Sequence, residues 1–379
     1  MSATERGVTA GSRAVAVIDL GAVERNCARL ASELGEAELC AVVKADGYGH
    51  GAVDCARAAL SGGATSLGVA AASEAVELRS SLPETPILVM GALTPAELDV
   101  AIACGAEIAV WRRGFLDLVR ERAATAISPV RVHVKYDTGM GRLGERDPDA
   151  VRALLDEAAA ADGIELVGLW THFATADEPG SRFFDEQLER FRDLALPSAA
   201  RHPGLRLHAA NSAATLREPE AHFDMVRCGI AVYGLDPFHE DPFARRLEPA
   251  LELHSYVADV KRFEPGASAG YGQRWRAPGD TFVGVLPIGY GDGVRRALTN
   301  NADVLVGGRR HPLVGTVSMD NITVDLGPDP GIEPGAAAVL IGVQDGERIL
   351  TEEVARRLAT INYEVTCGIS SRVPREYRR

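Results

Sequence analysis

The sequence predicts an α/β protein, a (β/α)8 barrel of the TIM type followed by a mainly-β C-terminal domain. Eight short apolar runs, typical of buried strands, alternate with amphipathic helical segments over about 200 residues. The alternation stops near Tyr233, and short alternating runs broken by glycine and proline follow, which favours a β-rich domain. A doubly wound open sheet is the alternative fold, but no G-x-G-x-x-G motif follows an early strand.

The predicted barrel strands are aliphatic segments of four to seven residues. They are Leu39–Lys44, Ser66–Ala70, Ile87–Met90, Glu107–Trp111, Val130–Lys135, Glu165–Thr171, Leu205–Ala209 and Asp224–Cys228. Helices are predicted between them, most clearly over Pro148–Ala161 and Ser181–Leu194. The sequence Thr94-Pro95-Ala96-Glu97 has the pattern of a capping box with proline in the first helical turn.

Two domains are predicted, residues 1–240 and residues 241–379. The alternating run Ala14–Leu20 precedes the barrel pattern and can pack with the C-terminal domain. Residues Asp236–Pro249 contain three prolines and several charges, which indicates a linker. The predicted elements of the second domain are strands at Leu251–Val260, Thr281–Pro287, Asp303–Val306, Thr316–Val324 and Ala337–Ile341, and a helix at Thr351–Thr360.

Composition limits the classes of function. A formal net charge of −13 argues against nucleic acid or an anionic membrane as the main partner. No apolar run approaches the roughly 20 residues of a membrane span, and Met1–Arg13 lacks the apolar core of a signal peptide. The six cysteines form no C-x-x-C pair, so we expect no structural metal site and a reducing, cytoplasmic location.

Lys44 stands at the carboxyl end of the first predicted barrel strand, and three glycines follow within a few residues. An amine in that position is placed to lose its hydration, which lowers its pKa and makes it available for Schiff-base chemistry. The alternative is that Lys44 merely extends its amine from a strand end into water.

Other predicted strands also end near polar residues, and these ends should meet at one mouth of a barrel. Asn211-Ser212 and Gly229-Ile230 follow the last two strands, where barrels often bind phosphate. Ser212 can equally be a helix cap, and the two roles are compatible. Tyr48, Tyr271 and Tyr290 each stand between glycines, which lets a phenol project from closely approached backbone.

The polar strand ends and the glycine-flanked tyrosines lie within short stretches that span nearly the whole chain. They are residues 41–51 (AVVKADGYGHG), 137–144 (DTGMGRLG), 170–173 (WTHF), 210–212 (ANS), 226–230 (VRCGI), 269–272 (AGYG), 289–293 (GYGDG), 318–320 (SMD) and 361–364 (INYE). Together these stretches resemble the alanine racemase family of pyridoxal-phosphate enzymes.

The resemblance implies that the chain binds pyridoxal 5'-phosphate and that Lys44 holds it as a Schiff base. Arg227 would face the pyridine nitrogen, and His172 would orient Arg227 or Tyr271. The residues that would bind the phosphate or its surroundings are Tyr48, Asn211, Ser212, Gly229, Ile230 and Tyr363.

The resemblance also implies a two-base interconversion of L-alanine and D-alanine, which supplies D-alanine for bacterial peptidoglycan. Lys44 would be one base, and Tyr271, lent by the second copy of a homodimer, would be the other. A lowered pKa at Tyr271 would require cations, and His172 and Arg227 are the candidates. Further implied site residues are Arg142 and Met319 at the substrate carboxylate, Tyr290 and Asp320 at the entrance, and Lys135 as a possible carbamate.

Three alternatives remain at this point. A racemase of broader specificity, such as a serine racemase, would share these motifs. A pyridoxal-phosphate decarboxylase would place a carboxylate at the pyridine nitrogen, where this chain has Arg227. A non-catalytic pyridoxal-phosphate-binding protein would need only a barrel, without the β-rich domain that carries Tyr271 and Tyr290.

Overall fold

The computed structural model describes residues 12–329 and 331–379. These residues form two compact units: the barrel unit, residues 23–232, and the β-rich unit, which combines residues 12–22 with 233–379. Most of the N-terminal stretch in which we expect no signal peptide lies outside the described residues.

Eight parallel strands form the barrel unit's sheet, and the predicted (β/α)8 fold is confirmed. The strands are numbered after β1 (Val15–Asp19) of the β-rich unit, and are β2 (Glu38–Val42), β3 (Ser66–Val69), β4 (Ile87–Val89), β5 (Glu107–Val110), β6 (Val130–Lys135), β7 (Ile164–Trp170), β8 (Arg206–His208) and β9 (Met225–Cys228). Their order is β8-β7-β6-β5-β4-β3-β2-β9. Backbone hydrogen bonds from Asp224 to Leu207 (3.0 Å) and from Arg227 to Ala210 (2.9 Å) nearly close the ring.

The barrel strands are almost wholly buried, because parallel sheets are covered on both faces. Every predicted boundary of a barrel strand lies within two residues of the observed one. One difference affects the candidate site: β2 ends at Val42, so Lys44 lies beyond the strand and not at its last position.

Helices connect the strands. They are α1 (Leu20–Ala31), α2 (Lys44–Tyr48), α3 (Ala52–Ser61), α4 (Ala72–Ser81), α5 (Pro95–Ala103), α6 (Arg113–Ala123), α7 (Pro148–Ala159), α8 (Arg182–Arg201) and α9 (Ser212–Arg217). The predicted capping box is confirmed, since the Thr94 N–H donates to Glu97 (2.9 Å) and the Glu97 N–H donates to Thr94 (3.3 Å). Helix α8 continues past the predicted end at Leu194, because its buried face extends to Ser198.

The β-rich unit contains sheets of seven, three and two strands. Its elements are β1, β10 (Leu251–Tyr256), β11 (Asp259–Phe263), β12 (Ser268–Ala269), β13 (Trp275–Arg276), β14 (Thr281–Leu286), β15 (Asp303–Val306), β16 (Arg309–Pro312), β17 (Ile322–Gly327), β18 (Ala337–Gln344), β19 (Glu347–Ile349), α10 (Thr351–Leu358), α11 (Asn362–Cys367) and β20 (Arg375–Arg378). β1 pairs antiparallel with β10 and parallel with β20, so the first strand of the chain lies within this unit's largest sheet.

Three expectations about this unit were wrong. The predicted strand Leu251–Val260 is divided between β10 and β11, which belong to different sheets. Asp236 and Leu247 are fully buried, so Asp236–Pro249 is not a linker. The Asp236 carboxylate accepts a hydrogen bond from Arg245 (2.9 Å), a partner that composition does not reveal. Residues 316–321 are not part of a strand either, because the Ser318 N–H donates to the carbonyl of Asn321 (3.0 Å) and closes a turn before β17.

None of the helices formed by the described residues is long and apolar enough to cross a membrane.

Candidate active site

Lys44 begins a left-handed turn, α2. The φ angles of Ala45, Asp46 and Tyr48 are +52°, +51° and +54°, values that cost non-glycine residues about 1–3 kcal/mol each. Glu74 accepts a hydrogen bond from the Ala45 N–H at 2.6 Å and so helps to hold the turn. Since α2 follows β2 at its carboxyl end, the turn places Lys44 at the mouth of the barrel.

A narrow cradle lies beside Lys44. A Cβ on Gly229 would come within 2.3 Å of the Tyr48 hydroxyl, so only glycine lets that phenol approach the backbone. Ser212 Oγ accepts hydrogen bonds from the N–H groups of Gly229 (3.0 Å) and Ala231 (3.4 Å), and Ile230 between them is buried. Two hydroxyls and a run of backbone amides therefore gather at the ends of β8 and β9, an arrangement suited to a phosphate. We call these residues the phosphate cradle.

Asn211 has a structural role next to the cradle. Its Oδ1 accepts a hydrogen bond from the Ala214 N–H at 3.0 Å and caps α9. Asn211 thereby fixes where α9 begins, and with it the position of Ser212.

Arg227 is almost wholly buried, and its guanidinium is held by several acceptors. Nη2 donates to the carbonyls of Thr171 (2.7 Å) and Ala209 (3.1 Å), and Nη1 donates to His208 Nδ1 (2.9 Å). Burial lowers the pKa of Arg227 to about 10, which still leaves the group charged at neutral pH. The structure therefore fixes a permanent hydrogen-bond donor near the barrel mouth.

His172 Nδ1 lies 3.4 Å from Nη2 of Arg227, which agrees with a role beside that residue. Burial first, and then the positive charge of Arg227, lower the pKa of His172 well below its usual value. The imidazole is therefore neutral at pH 7. Of the two residues expected to supply a positive charge, Arg227 keeps its charge and His172 does not.

Lys135 ends β6 and is only 2% exposed. Its Nζ lies 4.2 Å from the centre of the Trp170 ring. Burial, with a further effect from Arg142, lowers the pKa of Lys135 to about 7, so much of the amine is neutral at neutral pH. Arg142 itself is exposed in a loop that Asp137 shapes by accepting a hydrogen bond from the Gly141 N–H (3.0 Å).

The other predicted site residues belong to the β-rich unit. Tyr271, Met319 and Tyr290 are 75%, 52% and 43% exposed. They lie on one surface, because the Tyr290 N–H donates to the carbonyl of Ser318 (2.9 Å) and Tyr271 and Ser318 line the same cleft. Tyr363 is half-buried in α11, with its ring 6.4 Å from that of His239.

Asp320 follows Met319 and pairs with Arg372 at 2.6 Å. The hydrogen bond from Arg372 lowers the pKa of Asp320, so the carboxylate is ionised at neutral pH. The ionised Asp320 carboxylate therefore makes the edge of the surface that carries Tyr271 polar.

Sequence reasoning overlooked two buried side chains of the barrel unit, Glu107 and His133. A signal existed for one of them, since Val130–Lys135 alternates strictly and places His133 on the same face as Lys135. Glu107 carries no such signal, because its partner His133 lies 26 positions further along the chain.

The chain matches two known sequence families. The family described as "Alanine racemase, N-terminal domain" matches residues 18–237, and that described as "Alanine racemase, C-terminal domain" matches residues 250–377. The chain belongs to the alanine racemase family. The resemblance expected from the motifs is thus confirmed.

Individual family members are similar over their whole length. The alanine racemase of Frankia casuarinae is 43% identical, with 100% of both chains covered. The crystal structure of alanine racemase from E. faecalis has a TM-score of 0.91 at 36% identity and covers 98% of this chain and 100% of its own. That from Bacillus anthracis, with bound L-Ala-P, has a TM-score of 0.90 at 36% identity and covers 98% and 96%.

Alanine racemases are isomerases that depend on pyridoxal phosphate. The barrel unit fits that cofactor on two observations. In the phosphate cradle the Tyr48 and Ser212 hydroxyls both lie against the backbone at residue 229, where a Cβ would come within 2.3 Å of the Tyr48 oxygen. Arg227 supplies a donor that stays protonated, which suits an unprotonated ring nitrogen. Within residues 12–329 and 331–379, no group of His, Cys, Asp or Glu side chains could hold a metal ion.

Proposed function

We propose that this chain interconverts L-alanine and D-alanine with pyridoxal phosphate by a two-base mechanism. The full-length match to alanine racemases carries the proposal. The charged, buried Arg227 adds support, because a guanidinium does not readily give up its proton to the ring nitrogen.

Lys44 would bind the cofactor, the cradle residues Tyr48, Ser212, Gly229 and Ile230 would hold its phosphate, and Tyr363 would add a further phenol. When bound, pyridoxal phosphate supplies the electron sink that acidifies the α-C–H bond of the amino acid. The Arg227 guanidinium would donate a hydrogen bond to the ring nitrogen without protonating it.

The chain's own bases would then act on opposite faces of the α-carbon. In one direction the Lys44 amine takes the α-proton and the Tyr271 phenol delivers one to the other face, and in the reverse direction the roles exchange. Arg142 would bind the substrate carboxylate as a bidentate donor, with the backbone of Met319 beside it. Tyr290 and Asp320 would line the entrance.

We propose a homodimer in which Tyr271 of the partner subunit completes each site. The exposed surface of Tyr271, Tyr290 and Met319 supports this, because large exposed apolar groups often mark an interface. Met319 shares that surface with Tyr271, so its backbone would come from the partner as well.

Mixing two inactive variants tests the shared site. Equal amounts of Lys44→Ala and Tyr271→Phe protein, dissociated and reassociated, would place both defects in one site of a mixed dimer and neither in the other. We expect recovery of about a quarter of wild-type activity, since half of the dimers are mixed and half of their sites are intact. No recovery from dimers shown to be mixed would place both bases on one subunit.

Lys135 is proposed to carry a carbamate that orients Arg142. The neutral amine attacks CO2, a new N–C bond forms and one proton is released, so a pKa of about 7 favours the reaction at neutral pH. The resulting anion would offset the positive charge of Arg142. A carbamate signal in carbon-13 NMR after labelling with 13C-bicarbonate, lost in Lys135→Met, would support the assignment.

A cytoplasmic location and a supply of D-alanine to peptidoglycan belong to the same proposal. Five of the cysteines, Cys27, Cys40, Cys55, Cys104 and Cys228, form no disulfide within residues 12–329 and 331–379, which supports a reducing compartment. D-alanine is the product that the proposed reaction would deliver to cell-wall synthesis.

Deuterium exchange tests the proposed reaction. The purified protein is incubated in D2O with L-alanine, and in parallel with L-serine, while α-deuterium incorporation and formation of the D-isomer are followed. We expect both signals with alanine and much weaker signals with serine. Exchange without D-alanine would contradict the two-base mechanism, and equal rates with serine would indicate a racemase of broader specificity.

A further inference from the structure

Four buried polar side chains form a continuous hydrogen-bonded chain through the interior of the barrel unit. Arg227 Nη1 lies 2.9 Å from His208 Nδ1, His208 Nε2 lies 2.9 Å from His133 Nδ1, and His133 Nε2 lies 2.7 Å from Glu107 Oε2. Each residue is at most 4% exposed. We call the four residues the histidine relay.

Arg227 at one end of the histidine relay and Glu107 at the other determine which ring nitrogen of each histidine carries its proton. A guanidinium only donates, so His208 Nδ1 must accept and His208 must carry its proton on Nε2. That proton is donated to His133 Nδ1, so His133 also carries its proton on Nε2. The carboxylate of Glu107 only accepts, and it receives that last proton. Burial lowers the pKa of both histidines well below the usual value, which agrees with two neutral rings.

The relay connects the two ends of the barrel. Glu107 is the first residue of β5, and it lies 3.5 Å from Arg206, the first residue of β8. Arg227 lies near the carboxyl end of β9, next to the candidate site. A carboxylate at the amino ends of the strands is therefore linked to the guanidinium at the mouth.

The barrel makes specific room for His133. A Cβ on Gly168 of β7 would lie 2.1 Å from His133 Nδ1, the atom that faces His208. Gly168 has no left-handed φ that would itself require glycine. The glycine is therefore needed for space, and the space is occupied by one ring of the relay.

We propose that His133 and Glu107 are positioning residues that hold Arg227 in the orientation required at the ring nitrogen of pyridoxal phosphate. The inference rests on the proposed function. If His208 carried its proton on Nδ1, two N–H groups would face each other and the guanidinium would have to move. His133 and Glu107 prevent this by accepting and passing on the Nε2 proton, without touching the cofactor.

Substitutions at His133 separate this role from simple packing. In His133→Asn, the side-chain oxygen can take the place of Nδ1 and still accept from His208. In His133→Phe, the ring volume remains but the acceptor is lost. His222→Phe is the matched control, because His222 is also a buried histidine of the barrel unit but donates to the carbonyl of Thr215 (2.9 Å).

For His133→Phe holoenzyme we expect kcat to fall roughly ten- to hundredfold with little change in KM, since a shift of a catalytic group by about 1 Å costs about that much. We also expect more pyridoxamine phosphate per racemisation event, formed as the amino group of alanine passes to the cofactor and pyruvate leaves with oxygen from water. His133→Asn should recover most of the loss, and His222→Phe should show none.

Nitrogen-15 NMR of histidine-labelled holoenzyme, recorded without substrate, shows which ring nitrogen of each histidine carries the proton. In the wild type, His133 and His208 should both carry the proton on Nε2. Glu107→Leu, which removes the acceptor of the His133 Nε2 proton, should give a second His133 tautomer even if His133→Phe fails to fold. Wild-type kcat in folded His133→Phe, equal loss in the Asn and Phe variants, or unchanged tautomers in folded Glu107→Leu would each overturn the proposal. If the tautomers respond but wild-type protein does not racemise alanine, the proposed function fails and the relay stands.

Discussion

The two units present their proposed functional groups in opposite ways. In the barrel unit, Arg227 and Lys135 are buried, and burial lowers their pKa values. In the β-rich unit, Tyr271 and Met319 project from the surface of the chain. The buried groups are oriented by their own unit, whereas the exposed groups acquire a defined environment only against a second surface. Substitutions in the barrel unit should therefore alter cofactor binding, stability or the orientation of Arg227, and those on the exposed surface should alter turnover alone.

The largest effect is expected from Lys44→Ala, which should abolish both the visible absorbance of the bound cofactor and racemisation. The chain has only three lysines, and Lys261, exposed in β11 and paired with Asp259, provides the control variant Lys261→Ala. Borohydride reduction of the wild type followed by peptide mass spectrometry should place the cofactor on Lys44. Label on Lys135 or Lys261 instead would contradict the assignment.

Tyr271→Phe should lower turnover in both directions by roughly a thousandfold, the middle of the range for loss of a general acid–base. Cofactor absorbance and the thermal midpoint should stay at wild-type values, because the side chain is exposed and makes little contact within its own unit. Tyr377→Phe, at another exposed tyrosine of the same unit, is the control. A fully active Tyr271→Phe would remove the second base from the mechanism.

Arg227→Glu should raise transamination relative to racemisation, because a carboxyl group can share a proton with the ring nitrogen and strengthen the electron sink. It should also cost several kcal/mol of stability, since the carboxylate would face the carbonyls of Thr171 and Ala209. Pyruvate formed per D-alanine formed is the measurement. An unchanged ratio in folded protein would refute the proposed role of the guanidinium.

Gly229→Ala tests the phosphate cradle. The added Cβ would lie 2.3 Å from the Tyr48 hydroxyl, so the phenol must move. We expect cofactor affinity to fall roughly tenfold to hundredfold, equivalent to about 1.4–2.7 kcal/mol. Gly114→Ala in α6, where a Cβ meets nothing within 4 Å, should leave affinity unchanged. Equal affinities in a titration of apoprotein with pyridoxal phosphate would rule out the cradle.

The last prediction concerns stability alone and rests on Lys135, whose folded pKa of about 7 lies below the ordinary value of 10.5. Between those values the unfolded chain binds more protons, so the free energy of unfolding rises with pH in that range. Lys135→Met should therefore be more stable than the wild type near pH 6, and the difference should shrink towards pH 10. Urea unfolding in CO2-free buffer measures this, and a pH-independent difference would show that burial does not lower the pKa.

Patterns among residues close together in the sequence were sufficient to predict much of the fold and part of the candidate site. The eight barrel strands follow from short-range apolar runs, and the Thr94 cap follows from four adjacent residues. The residues around Lys44 and Arg227 were found because strand ends meet at one mouth in any barrel. The turn before β17 and the burial of Asp236 were missed, because their partners cannot be identified from composition.

The sequence by itself determined the order of the strands and helices, the family, and which side chains stand at the strand ends, because these depend on neighbouring residues and on motif spacing. Only the tertiary structure decided the left-handed turn at Lys44, the neutral state of His172, the lowered pKa of Lys135 and the path from Arg227 to Glu107. Hydration and electrostatic potential at an atom are set by groups that folding brings within a few ångströms, and most of those groups are distant along the chain.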